Sequence, residues 1–350
     1  MEAIIAQRIR NSRVHRGLSL QEVADGVGVS KQMIHKYEMG NSVPSSDKLI
    51  ALSKLFNQKV DYFFRKPEVT IGEISFRKRG KFGARKVDSL KEEIRIQIEN
   101  YLFIENICEV SNSFKNPIEK CVIEDELSVQ HAVKMLRAKW NIGEDAIHNI
   151  IDLLEDHHIK VIEVEDESGS FDGLATTIDN KHRIIVIAKG MPVERKRFTL
   201  LHELGHLLLS IEDFDTKQQE SLCNYFASEI LLSEENTFTE FGKNRSSISL
   251  EELKNVQEKY GISIKAIVYK LGELKIMTAE RVRKFYLRLN MEPNLKVLVE
   301  ECRYKGIAHS NRYENLVFRA VSEELISMSK ASSLLQISLE ELMGKLTNLA

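Results

Sequence analysis

Cysteine, proline and long apolar runs are scarce in this chain of 350 residues, which has four cysteines and five prolines. The cysteines (Cys108, Cys121, Cys223, Cys302) are scattered without a CxxC pair, which argues against a cysteine zinc site or a disulfide framework. No apolar run approaches the roughly 20 residues that span a bilayer. The N-terminus soon turns polar and rich in arginine, whereas a signal peptide needs about 7–15 apolar residues in a row. We therefore expect a cytoplasmic protein with no membrane partner.

The composition is that of a folded protein, with 43% hydrophobic and 29% charged residues, which excludes a disordered chain or a fibrous repeat. The length allows two or three domains of roughly 100–200 residues. Residues 1–90 carry 17 Lys and Arg against 9 Asp and Glu, and residues 91–350 carry 33 against 43. A basic head on an acidic body favours a polyanionic partner for the head. An ordinary solvated basic face is the alternative.

Hydrophobic periodicity predicts a mainly α-helical chain with an α+β core. Residues 4–64 have the pattern of short helices, and the sequence after Ser246 is typical of helices. Between them, short β-branched segments predict strands and longer amphipathic segments predict helices. The strands are predicted at 160–166, 173–178 and 182–188, and the helices around 195–210 and 216–232. The third strand is equally consistent with an edge strand that pairs with an extended peptide and with a core strand.

Residues 18–40 have the pattern of two short helices joined by a tight turn. Ser19 is suited to cap the first helix, and Gly28 supplies the turn. Ser30 caps a second helix, which ends at Gly40. This is the helix-turn-helix arrangement, whose second helix lies in the major groove of DNA. The spacing predicts an inward face made of Val23, Ala24, Val29, Ile34 and Tyr37.

The outward side chains of the second helix are the candidate DNA contacts: Ser30, Lys31, Gln32, His35 and Lys36. A glutamine can pair with adenine through two hydrogen bonds, and a lysine can reach guanine or phosphate. The segment from about residue 4 to 64 resembles the phage-repressor-like (Cro/C1, or XRE) helix-turn-helix family, including the trailing PSSDKLIALSKLFNQKVDYFF. The resemblance implies a double-stranded DNA operator as partner. A small helical domain for protein contacts is the alternative.

The sequence HELGH at residues 202–206 is the most informative motif of the chain. On a helix it places two imidazoles on one face, where they can hold one zinc ion. Glu203, about 100° from His202 around the helix, can act on the attacking water as a general base. The opposite face carries leucines that can bury in a core: Leu200, Leu204, Leu207 and Leu208. Two structural histidines are the alternative, because HExxH also arises by chance.

A third metal ligand is expected on the next predicted helix, which carries Glu220 and Glu229. These carboxylates lie about 180° apart around a helix, so both cannot face one ion. We expect Glu220 to be the ligand. Asn224, one turn later on the same face, is expected to hydrogen-bond a ligating side chain. Two histidines, one glutamate and an open fourth position are typical of a hydrolytic zinc site, although manganese or iron could occupy the same ligands.

The flanking sequence resembles the ImmA/IrrE family of metallopeptidases over about residues 128–235. The resemblance is carried by FDGLATT, RIIVIAKGMPVERKRFTLLHELGHLLL and ESLCNYFASEILLS. It implies a zincin-like fold whose zinc ligands are His202, His206 and Glu220, with Glu203 as the general base. It also implies a protein substrate, a repressor-like or antitoxin-like regulator in a stress or mobile-element response. The family often has Met-Pro after the last helix, where Leu232 and Ser233 stand here, so we expect a different chain exit.

Together these features predict a DNA-binding regulator joined to a zinc endopeptidase, and they leave a homodimer open. The predicted domains are a five-helix XRE-type domain (1–66), a basic linker with a connecting helix (67–127), a zincin-like domain with a small sheet (128–245) and a helical C-terminal region (246–350). The alternative is a transcription factor or antitoxin whose metal-binding domain is a sensor or dimerisation body without protease activity. Glu203 favours hydrolysis, because a purely structural metal site has no use for a general base.

Overall fold

The computed structural model describes residues 1–65, 84–110, 113–166, 171–178, 181–301 and 304–346. Residues 67–83 of the predicted basic linker therefore lie outside the described residues. The chain divides into two compact units. The first unit comprises Met1–Ser111 and Tyr313–Ala350, and the second unit comprises Asn112–Arg312.

The secondary structure is mostly helical. Up to residue 111 the elements are α1 (Glu2–His15), α2 (Leu20–Val27), α3 (Lys31–Glu38), α4 (Ser46–Phe56), a 3₁₀-helix (Val60–Phe64) and α5 (Ala84–Ile107). They continue with α6 (Glu126–Lys139), α7 (Ile150–Asp156), β1 (Ile159–Val164), β2 (Gly173–Ile178), β3 (His182–Ala188), α8 (Val193–Leu208), α9 (Thr216–Leu231) and α10 (Glu234–Phe241). The rest are α11 (Leu250–Tyr260), α12 (Ile264–Glu273), α13 (Ala279–Met291), α14 (Pro293–Glu300), α15 (Arg312–Ser322), α16 (Met328–Leu335) and α17 (Leu339–Leu346).

Two apolar cores lie among the described residues of the first unit. One lies within residues 1–65 and includes Ile9, Val23, Ala24, Ile34, Leu52, Phe56 and Phe63, all fully buried. The other joins the end of α5 to the last three helices, through Ile104, Val317, Ala320 and Ala331. The end of α5 and residues 313–346 therefore pack together although they are far apart in sequence.

The second unit is built around a three-stranded mixed sheet in the order β1-β3-β2. β1 runs parallel to β3, with Ile159 opposite Arg183, and β2 runs antiparallel to β3, with Ile178 opposite His182. Residues 184–187 of β3 are all fully buried, as expected for a central strand covered on both faces. α8 packs against β2 and β3, and α9 packs against α8 and α6.

The predicted fold class is confirmed, and two details of the prediction are wrong. The N-terminal segment has four α-helices and a 3₁₀-helix rather than five α-helices. β3 is the central strand and β2 is an edge strand, so the core-strand interpretation of HRIIVIA is confirmed and its edge-strand alternative is wrong. Across the described ranges, no helix is both long enough and apolar enough to cross a membrane.

Candidate functional site

Helix α8 carries the HELGH motif with one face in the core. Leu200, Leu204 and Leu208 are buried in the large apolar cluster of the second unit, as their spacing predicts. His202 and Glu203 are also buried, at 8% and 7% exposure. At the end of the helix, the side-chain amide of Asn116 donates a hydrogen bond of 2.8 Å to the Leu208 carbonyl. The motif therefore lies on a helix held firmly on its apolar side.

Helix α9 brings the predicted third carboxylate to the two histidines. Asp215 caps this helix by accepting a hydrogen bond from the Gln218 backbone amide. Glu220 therefore lies in the second turn of a capped helix. The two carboxylate oxygens of Glu220 lie 3.3 Å from His202 Nε2 and 3.6 Å from His206 Nε2. The two Nε2 atoms are 3.2 Å apart. Three side chains from two helices thus converge on one point.

This arrangement fits a single metal ion. The three ligand atoms lie within 4.8 Å of one another. Ligands of a tetrahedral zinc ion at about 2.0–2.1 Å lie roughly 3.4 Å apart, close to the separations found here. Two imidazole nitrogens and one carboxylate are also the ligand set of hydrolytic zinc sites. His202, His206 and Glu220 could therefore hold one divalent cation.

The outer nitrogens of both imidazoles contact residues of α9. His202 Nδ1 lies 2.9 Å from Asn224 Oδ1. His206 Nδ1 lies 3.3 Å from Cys223 Sγ, a contact that the sequence did not predict. Such partners fix the orientation of each ring so that its Nε2 atom points to the place where the three side chains converge. The only sequence signal for Cys223 was its place three residues after Glu220.

The close approach of α8 and α9 depends on a glycine. A Cβ atom at Gly205 would lie 3.2–3.3 Å from Sγ, Cα and Cβ of Cys223. Ordinary carbon contacts are about 3.5–4.0 Å, so the backbones meet more closely than any other residue would comfortably allow. This contact sets the distance between the histidines and Glu220.

The start of β2 passes beside the predicted general base. A Cβ at Gly173 would lie 3.3 Å from Glu203 Cγ and 2.7 Å from Thr199 Cγ2. Gly173 was not predicted as a site residue, although a glycine at a strand end often marks a close approach. Because β2 is an edge strand, an edge of the sheet lies next to Glu203.

Glu229, the other carboxylate on α9, lies away from the two histidines in an ion pair. Glu229 is 2% exposed and its carboxylate pairs with Lys270 Nζ at 2.7 Å. It also accepts a hydrogen bond from the Glu234 backbone amide. Glu229 therefore ties α9 to α12 and is not among the three side chains that converge.

The candidate DNA contacts share one exposed surface in the first unit. Ser30, Lys31, Gln32, His35 and Lys36 are all exposed, while Val23, Ala24, Ile34 and Tyr37 are buried. The Ser30 hydroxyl accepts a hydrogen bond from the Met33 amide, so it caps α3. Gly28 ends α2 with a φ of 69°, in the left-handed region that favours glycine. The exposed face of α3 is therefore free to lie in a groove.

Comparisons with known proteins agree with both parts of the chain. Residues 9–63 match the family profile described as helix-turn-helix, and residues 154–272 match the profile described as IrrE N-terminal-like domain. The chain therefore joins a helix-turn-helix domain to an IrrE N-terminal-like domain.

The curated relatives that match are transcriptional regulators. The uncharacterized HTH-type transcriptional regulator RP497 of Rickettsia prowazekii is 31% identical over 64 residues, which cover 18% of this chain and 49% of that protein. The cryptic phage CTXphi transcriptional repressor RstR of Vibrio cholerae is 28% identical over 116 residues, covering 32% of this chain and 100% of the repressor. The chain spans about half the length of RP497 and of a similar regulator of Rickettsia conorii.

Among solved structures, the apo form of ComR from S. thermophilus matches over 92% of this chain and 100% of the ComR chain. Its sequence identity is 14% and its TM-score is 0.19, so this likeness carries no argument.

Proposed function

We propose that this chain, which joins a helix-turn-helix domain to an IrrE N-terminal-like domain, is a DNA-binding transcriptional regulator and a metal-dependent endopeptidase. The observation that carries the proposal is the convergence of His202, His206 and Glu220, with Glu203 next to the first histidine. A metal site built only for stability would be closed by a fourth protein ligand. Within the described residues the cluster has three.

Zinc is the proposed ion, held by His202, His206 and Glu220. When bound, it would act as a Lewis acid that polarises the scissile carbonyl and acidifies the attacking water. Asn224 and Cys223 would hold the two imidazole rings so that both Nε2 atoms face the ion.

Glu203 is the proposed general base. It would accept a proton from the attacking water and deliver it to the leaving amine, as a carboxylate within reach of both can do. Its side chain lies next to β2, whose outer edge could pair with an extended peptide through backbone hydrogen bonds. The edge of β2 would then align the scissile bond with Glu203.

The remaining parts of the proposal concern partners. The substrate would be a repressor-like or antitoxin-like protein, and the exposed face of α3 would read a double-stranded operator with Ser30, Lys31, Gln32, His35 and Lys36. We propose that residues 1–66 form the DNA-binding domain and that residues 128–245 form the peptidase domain. A cytoplasmic location and a homodimer are part of the same proposal.

The test is co-expression of the wild-type chain, or of Glu203→Gln, with each protein encoded beside it. The proposal predicts a truncated product with the wild type that is missing with Glu203→Gln, since the variant keeps all three metal ligands and loses the base. Metal content measured on both proteins serves as the control.

The absence of any fragment, with both forms still bound to the same promoter DNA, would contradict the peptidase. It would support a regulator whose metal-binding domain does not catalyse proteolysis.

A further inference from the structure

A cavity of about 890 Å³ opens in the second unit between α8, α9 and α12. Its lining includes Glu194 and Phe198 of α8, Asn224 and Tyr225 of α9, and Tyr269 and Glu273 of α12. Its volume lies within the range of small-molecule and side-chain binding sites, about 300–1,000 Å³.

The cavity adjoins the candidate metal centre through Asn224. Phe198 lies one helical turn before His202 on α8, and Asn224 lies one turn after Glu220 on α9. One turn rises about 5.4 Å. Asn224 belongs to both places, because it lines the cavity and its Oδ1 contacts the His202 ring. A peptide held at the metal centre could therefore extend a side chain into the cavity.

The cationic side chains that line the cavity are already paired. Arg195 pairs with Asp172, and Lys265 Nζ lies 2.6 Å from a carboxylate oxygen of Glu300. The charge of Lys270 also acts on the Glu273 carboxylate. Lys270 is already paired, because its Nζ lies 2.7 Å from a carboxylate oxygen of Glu229.

Three carboxylates of the lining form no ion pair within the part of the chain that the structure describes: Glu126, Glu194 and Glu273. Glu194 accepts a hydrogen bond from Gln257, which leaves Glu126 and Glu273 as the candidates for a cationic ligand. Partial burial raises the pKa of Glu273, a hydrogen bond with Tyr269 opposes this rise, and the charge of Glu126 adds to it. Two like charges that share a cavity repel one another, and a cation between them would relieve this repulsion.

A third acceptor is available deeper in the lining. Gln257 is 2% exposed, and its Nε2 donates to a carboxylate oxygen of Glu194 and to the Glu301 carbonyl, both at 3.1 Å. Its Oε1 accepts no hydrogen bond from any described residue. Buried acceptors without a donor are rare in proteins. The carboxylates of Glu126 and Glu273 and the Oε1 atom of Gln257 are all acceptors, which favours a ligand that donates.

Aromatic rings complete the lining. Phe198, Tyr225, Tyr269 and Tyr286 all face the cavity. Burial raises the pKa of Tyr225, and the neighbouring Glu273 raises that of Tyr269, so both phenols stay neutral. Neutral aromatic rings beside carboxylates attract ammonium and guanidinium groups through the cation–π interaction.

We propose that this cavity is a specificity site for a lysine or arginine side chain of the peptide substrate. The charged end would lie between Glu126 and Glu273, and the aliphatic stem would lie along the aromatic rings. That this side chain belongs to a substrate rests on the proposed peptidase function, while the preference for a cation rests on the cavity alone.

The test measures binding without hydrolysis. Glu203→Gln is titrated calorimetrically at low salt with blocked pentapeptides, Ac-Ala-Ala-X-Ala-Ala-NH₂, in which X is arginine, lysine, norleucine or glutamate. Because hydrogen bonds to charged groups are the strong ones, we expect arginine or lysine to bind at least about tenfold more tightly than norleucine. Added Glu273→Gln should remove most of this preference and leave norleucine unaffected. Added Glu280→Gln, an exposed residue outside this lining, is the matched control and should leave the preference intact.

Equal binding of the arginine and norleucine peptides, or the same loss with Glu280→Gln, would overturn the specificity site. The two proposals fail separately. A cation preference in a protein that cleaves no partner leaves the site standing and removes the peptidase. Cleavage of a partner without any cation preference leaves the peptidase standing and removes the specificity site.

Discussion

Gly205→Ala tests how the spacing of α8 and α9 creates the candidate metal centre. The new methyl group would lie 3.2–3.3 Å from three atoms of Cys223, one of which is the backbone Cα. A side-chain rotation cannot relieve a contact with backbone, so α9 must move by a few tenths of an ångström. That movement displaces Glu220, Cys223 and Asn224 together.

Two opposing terms set the effect on stability. Alanine is favoured over glycine within a helix by about 0.8–1.0 kcal/mol, whereas overpacking a tight interface costs about 1–3 kcal/mol. The expected net loss is therefore about 1 kcal/mol, which lowers the melting temperature of a unit of about 200 residues by roughly 2–4 °C. Metal affinity should fall more, by about 10–100-fold, because the partners that orient the imidazoles move as well.

The assay is a zinc titration against a competing chelator, together with thermal unfolding of the metal-free protein. Gly344→Ala is the matched control, since Gly344 lies in α17 with no atom within 4 Å of a new Cβ. It should leave metal affinity unchanged and raise stability slightly. Wild-type metal affinity in Gly205→Ala, with an unchanged or higher melting temperature, would refute the reasoning.

Three further predictions concern other parts of the chain. Lys270→Met leaves the buried carboxylate of Glu229 without its partner and should cost about 3–5 kcal/mol in denaturant unfolding; adding Glu229→Gln should recover most of the loss, and no recovery would contradict this account. Lys36→Ala should weaken binding to duplex DNA and reduce the slope of log K against log salt by about 1, whereas an unchanged slope would exclude a phosphate contact. Burial lowers the pKa of His157 below 6.5, and its ring stacks on Trp140 at 4.2 Å. Since folding disfavours the protonated ring, stability should fall as the pH drops below 6.5. The fluorescence of this single tryptophan should change with a midpoint below 6.5, and His157→Gln should abolish the change.

Local patterns made much of the fold predictable. The predicted capping residues Ser19 and Ser30 stand where helices begin, because a side-chain oxygen that accepts hydrogen bonds from the first backbone amides of a helix is a clear sequence signal. The β-branched runs became strands for a similar local reason. Strand order is a long-range property. HRIIVIA read equally well as an edge strand or a central strand until its two neighbours were known.

The candidate site was predictable where its residues share a helix. The spacing of His202 and His206, and the angle between Glu220 and Glu229, follow from helix geometry alone. The contact between Cys223 and His206 and the approach of Gly173 to Glu203 depend on how separate elements pack. No periodicity within one element reports such a distance. The cavity between α8, α9 and α12 could not be predicted for the same reason.

The most direct test of the account is the metal content of the purified protein. Zinc, manganese and iron are measured by mass spectrometry in the wild type, His202→Ala, Glu220→Ala and Glu203→Gln, each checked for folding by circular dichroism. The account predicts one equivalent of one metal in the wild type and in Glu203→Gln, and a large loss in the other two. Wild-type protein without stoichiometric metal, or full metal content in folded His202→Ala and Glu220→Ala, would contradict it.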